Sequence, residues 1–124
     1  MVSTPSVAGG GLAAYSGMAL PHAASGQVVD LLGSTVPSAQ TLALFKSSEL
    51  EVMRLVLAAG KAVPSHQVAG EITVQCLEGR FEFTAEGRTQ VMRAGQLLHL
   101  SGGVAHSLVA LEDASALVTI VLHK

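Results

Sequence analysis

His66 and His106 are the residues of this 124-residue chain whose type and placement suggest chemistry. Each closes a segment that a glycine opens, Gly60-Lys-Ala-Val-Pro-Ser-His66 and Gly95-Gln-Leu-Leu-His99-Leu-Ser-Gly-Gly-Val-Ala-His106. A neutral imidazole near pH 7 can ligate a metal, accept and donate hydrogen bonds, or take up a proton. Two of them at matching ends of a folded sheet therefore offer a divalent-metal site. Without a metal, the same pair offers a pocket for an organic anion or for proton abstraction. Glu71 is an accessory candidate if Gly70 allows a bulge that turns it inward, and otherwise a rim carboxylate. Gln67 follows His66, but alternation faces it away. His99 supplies a third nitrogen if its strand turns it inward, against a competing reading as a packed or interface histidine. His22 lies among small residues that fix no ring orientation, and His123 beside Lys124 is expected to be exposed.

The elements that must position these side chains read as short strands. Gly70, Gly79, Gly87 and Gly95 break the central stretch into alternating runs. Strands are predicted over 39–45, 50–58, 72–77, 80–84, 88–93, 95–100, 106–111 and 116–122, with 60–66 leading the first histidine into the sheet. For residues 50–59 a helix competes, because Glu, Met, Arg, Leu and Ala favour helices, but the short spacing and β-rich sequel favour strand. Residues 27–32 fit a short helical turn or a first strand. Alternation puts Phe81 and Phe83 on one face with Glu82 on the other, and Ile72, Val74 and Cys76 on the face of His66. Cys76 then reads as a buried soft core residue before it reads as a nucleophile. Eight or more short strands in this span predict an all-β jelly roll and no βαβ units.

Composition bounds the partners. The chain is one domain long; residues 1–26, rich in Gly and Ser, read as a flexible tail and 27–124 as a single barrel. Hydrophobic residues make up 49% and charged residues 13%, so the charged surface is thin and a homodimer is expected to cover part of it. Seven Lys and Arg, spread singly under a net charge of -2, give no stripe for nucleic acid. No run approaches the ~18 apolar residues of a spanning helix, and no Lys or Arg precedes Lys46 as a secretory signal would require. One cysteine permits no intrachain disulfide, and the expectation is a cytoplasmic protein away from membranes.

With Gly60, His66, Gly79, Gly95 and His106 in place, the chain resembles a small single-domain cupin, an RmlC-like jelly roll or double-stranded β-helix. The resemblance covers roughly residues 38 to 122. It places the first motif's second histidine at Val68 and its glutamate at Ile72, with Glu71 one position early; in the second motif Ser101 replaces a proline. A cupin of this kind implies three histidines and one carboxylate around Fe, Mn, Ni or Zn, of which His66 and His106 remain. The pocket around them is expected to be lined by Val68, Ile72, Val74, Cys76, Leu98, Leu100, Val104 and Leu108, suiting a small, largely apolar ligand with one polar handle. The leading expectation is a metal-binding cupin of unassigned activity, enzymatic if a third ligand is found. The alternatives are a metal-free module that binds or senses a small molecule, and a dimerising barrel without catalysis.

Overall fold

A computed structural model describes residues 22–32 and 40–122. Nine strands run through the described residues: β1 (Leu42–Lys46), β2 (Leu50–Leu57), β3 (Ala62–His66), β4 (Ile72–Glu78), β5 (Arg80–Ala85), β6 (Arg88–Arg93), β7 (Leu97–Leu100), β8 (His106–Ala110) and β9 (Ala114–Val121). They form a five-stranded sheet in the order β1-β2-β9-β4-β7 and a four-stranded sheet in the order β3-β8-β5-β6, every pair antiparallel. This is the predicted two-sheet jelly roll.

Period-2 alternation decides what the sheets enclose. Ile72, Val74 and Cys76 of β4, Phe81 and Phe83 of β5, and Leu108 and Ala110 of β8 are all buried, while the residues between them are at least partly exposed. Met53 and Leu55 of β2 join them from the five-stranded sheet. β2 is a strand despite its helix-favouring residues, because it pairs with β9 in unbroken register from Leu50↔Val121 to Leu57↔Ala114, and this long-range pairing outweighs local propensity. The other face of β2 carries Arg54, itself buried, whose guanidinium donates to Glu78 at 2.9 Å.

The strands give the sandwich two distinct ends. β1, β3, β5, β7 and β9 run toward one end and β2, β4, β6 and β8 run away from it, so Lys46, Glu51, His66, Ile72, Ala85, Arg88, Leu100, His106 and Ile120 all lie near that end, here called the mouth. Glycine is required on geometric grounds at two crossings. Gly79, at the far end, has φ +73°, and a Cβ there would run into the Asp113 carbonyl oxygen and the Ala114 backbone. Gly102, at the mouth, lies so close to the Ala69 carbonyl that a Cβ would collide with it, while Gly103 N–H donates to Val68 O at 2.8 Å.

Several boundaries differ from the sequence reading. β7 starts at Leu97 because Gly95 and Gln96 form a turn bonded to Cys76, Gly95 N–H donating to its carbonyl and its own N–H donating to Gln96 O. β9 starts two residues earlier than predicted. The stretch 27–32 is neither helix nor strand; Asp30 Oδ1 accepts from Leu32 N–H and closes a local turn instead. Of the predicted tail, residues 1–21 lie outside the described residues, as do Ala39 and His123; Ala23 N–H donates to Leu44 O at 2.8 Å, tying that part of the chain to β1.

Candidate functional site

The histidine pair is where the sequence placed it, and its surroundings are not. His66 and His106 are register partners across β3 and β8, with a bulge between Val63 and His66. Their ring centroids lie 4.4 Å apart at an interplanar angle of 56°. His106 is 3% exposed, and on its other side it stacks on Phe83 at 5.6 Å and 10°. Each Nδ1 faces a carbonyl two residues upstream, His66 to Pro64 at 3.1 Å and His106 to Val104 at 3.0 Å. A carbonyl only accepts, so each Nδ1 carries the proton, and Nε2 is the acceptor nitrogen of the neutral ring. Burial pushes the His106 pKa down, the Val104 carbonyl partly offsets this, and His66 adds to the depression. His106 is therefore a neutral, packed imidazole at pH 7.

A cupin metal would need more than these two nitrogens. Val68 and Ile72 hold the other expected ligand positions as buried aliphatic residues, 7% and 3% exposed. Glu71 does not swing inward; its Oε1 accepts from His99 Nε2 at 2.7 Å in a pair more than half exposed on both sides. His99 is thus neither an inward third nitrogen nor packed in the core, and Gln67 is exposed. Among the described residues no group of three His, Cys, Asp or Glu side chains is placed to hold a metal ion. The donor set does not fit the iron, manganese, nickel or zinc that the resemblance implied, and the expectation of a divalent metal and organic ligand held together around His66 and His106 is corrected on this ground.

The predicted pocket lining also divides. Val68, Ile72, Val74, Cys76 and Leu108 pack into the hydrophobic core, with Val104 against it. Burial pushes the Cys76 thiol up to about 11, so it stays protonated as a core residue. Leu100, itself in the core, and Leu98, packed against it, also border a cleft of about 490 Å³ between the edge strands β6 and β7. Phe83, Ala85, Arg88 and Gln90 line it too, with Glu86, Leu97 and His99 completing its wall. The register Ala85↔Arg88 and Phe83↔Gln90 sets Arg88 and Gln90 on the inner face of the four-stranded sheet, above an apolar floor. Sequence reasoning passed over this pair, although the two-residue turn Glu86-Gly87 combined with the buried face of Phe83 would have located them.

Lowered in the folded state, the His106 pKa makes stability depend on pH with a definite sign. Above the ordinary value of 6.5 both states are neutral; below it the unfolded chain binds the proton first, so stability falls as pH drops toward the folded pKa. Urea melts between pH 7.5 and pH 5.5 should show this fall, and it should be smaller in His106→Gln. An equal slope in the variant would remove His106 as its source.

The comparisons with known proteins agree with the geometry. The family model described as a cupin domain matches residues 53–122, more than half of the chain. A conserved protein of unknown function from Streptococcus pyogenes superposes with a TM-score of 0.68 at 22% identity, over 84% of this chain and 94% of its own. A cupin superfamily protein from Desulfitobacterium hafniense gives 0.65 at 16% identity, over 67% and 76% of the two chains. An RmlC-like cupin from Desulfovibrio desulfuricans gives 0.61 at 26% identity, over 65% and 79%. No curated protein matches the sequence. With two motif histidines paired across β3 and β8 and the family model spanning both, the chain belongs to the cupin family.

Proposed function

We propose that this cupin is a metal-free module that binds a small organic acid in the cleft between β6 and β7. The observation that carries the reading is Arg88 with Gln90 over the floor of Phe83, Ala85, Leu98 and Leu100, in a cleft of about 490 Å³. That volume is within the range of small-molecule sites, and a few polar groups above an apolar surface are their usual chemistry. A guanidinium presents parallel N–H donors that match a carboxylate, and Gln90 adds an amide beside it. Arg88 has no ion-pair partner among the described residues. The apolar floor favours a short aliphatic or aromatic body on the acid. Titration calorimetry with benzoate and isovalerate is the test. Saturable binding should weaken roughly tenfold or more in Arg88→Gln, about 1.4 kcal/mol or above; unchanged affinity would remove the cleft as the site.

The same reading includes a homodimer. The outer face of the five-stranded sheet carries Val52, Thr119, Thr73 and His99 in one register row and Leu42, Arg54, Leu117, Gln75 and Leu97 in the next. Leu97 is 67% exposed, and the ionic features nearby are the Arg54–Glu78 pair and Glu71 on His99. A face so poor in charge suits a second copy of the chain. Light scattering at micromolar concentration should return twice the chain mass, and a monomer mass would contradict the pairing.

A further inference from the structure

β6 ends the four-stranded sheet, and among the described residues no strand pairs with its second edge. Only Met92 of this strand is buried; its other residues are exposed. Hydrogen bonds at its borders tell which of its peptide groups face the open edge. In an antiparallel ladder one residue turns both N–H and C=O toward one neighbouring strand, and the next residue turns both toward the other. Arg93 spends both on Gln96, its N–H donating to Gln96 Oε1 at 2.8 Å and its carbonyl accepting from Gln96 N–H at 3.0 Å. On β5, Arg80 O accepts from Leu111 N–H, one residue beyond β8, so Arg80, Glu82 and Thr84 bond toward β8. Their partners in β6, Arg93, Val91 and Thr89, therefore bond away from β5. Both observations set the N–H and C=O of Thr89 and Val91 on the open edge, a template for one more strand.

The crevice along this edge is longer than a small acid needs. Past the cleft of about 490 Å³ it continues as a cavity of about 290 Å³, lined by Gln90, Val91 and Met92 on one side and Gln96, Leu97 and Leu98 on the other; Gln90, Leu97 and Leu98 border both. Successive side chains of a strand point to opposite faces, so a cavity that meets three in a row on each side lies along the edges of the strands. Charge gives the crevice a direction, because Arg88 stands at its mouth end, and Glu86 beside it limits the anion there to the one that Arg88 can clamp. We propose that the acid bound at Arg88 is the free carboxyl terminus of a short extended peptide, which pairs antiparallel with Thr89 and Val91 of β6 and rests its terminal side chain over Phe83, Leu98 and Leu100. This is strand addition at a sheet edge, in which main-chain hydrogen bonds supply affinity and the carboxylate clamp fixes register. The stretch Arg88–Met92, at ~3.4 Å per residue, faces about five ligand residues.

The inference rests on the reading of the β6–β7 cleft as an acid site, and the experiment separates the two. Acetyl-leucine, acetyl-Ala-Ala-Ala-Leu, its eight-residue extension with alanine and the amide of the tetrapeptide are titrated by calorimetry into the wild-type protein, Arg88→Gln and Val91→Pro. The tetrapeptide should bind about tenfold tighter than acetyl-leucine, and the eight-residue peptide should add little more. The amide and Arg88→Gln should each weaken binding. Val91→Pro removes an N–H that the sheet does not use, which an edge strand tolerates, and should erase most of the gain from peptide length. Two further tetrapeptides, N-methylated on alternate residues in opposite phase, test the pairing without altering the protein: one phase should lose the gain and the other keep it. Equal affinity of acetyl-leucine and the tetrapeptide, equal loss in both methylated phases, or an amide that binds as tightly as the acid overturns the proposal. Acetyl-leucine bound through Arg88 with no gain from length would leave the acid site standing without the peptide; no binding by any of these acids would remove both.

Discussion

The unbroken pairing of β2 with β9, passed on from β9 to β4, is the constraint on which the rest of the molecule depends. In a β-ladder a shift of one residue exchanges the faces of every side chain along the strand. This register sends Met53, Val118 and Val74 inward as one row, and Leu55, Ala116 and Cys76 as the next. The same arithmetic delivers Glu51, Ile120, Ile72 and Leu100 to the inner face at the mouth. The inner face of the five-stranded sheet is therefore the product of one pairing, and Glu51 lies on it because its parity leaves no alternative; the register of β3, β8, β5 and β6 does the same for the facing sheet.

At the mouth that parity meets a substitution of ligand chemistry by hydrocarbon. Val68 and Ile72 sit where a metal-binding relative would present nitrogen and oxygen, and both are packed into the core. His106 is then best described by its neighbours: a ring stacked on Phe83, tilted against His66 and fixed through Nδ1 by the Val104 carbonyl. A polar residue so placed is satisfied by local geometry and stays neutral. The polar groups that do face cavities lie at the sandwich margins, Arg88 and Gln90 beside β7 and Lys46 beside the segment that docks on β1.

Much of this was legible in the chain itself. Glycine spacing and alternation predicted a jelly roll, and the inward faces of Ile72, Val74, Cys76, Phe81 and Phe83 followed from period 2 alone. The two histidines were correctly brought to one level, because their spacing from Gly60 and Gly95 reflects strand lengths. Two kinds of fact were not legible. Whether Glu71 turned inward depended on a bulge at Gly70 competing with a hydrogen bond to His99, and the latter requires β4 and β7 to be neighbours, a tertiary fact. The clefts form at sheet edges, one where the consecutive strands β6 and β7 border different sheets and one where residues 23–27 meet β1, and local periodicity carries no record of which edges face each other. Arg88 could have been assigned to the inner face, but its importance lies in what stands opposite it.

The central claim is that His66 and His106 do not form a metal centre in this cupin fold, and its most direct test is elemental. Protein purified without a histidine tag is dialysed against equal micromolar Fe²⁺, Mn²⁺, Ni²⁺ and Zn²⁺ and analysed beside His66→Ala and His106→Ala. The account predicts no stoichiometric metal in the parent protein and no difference between it and the two variants. One equivalent of a single metal in the parent, lost in both variants, would contradict it.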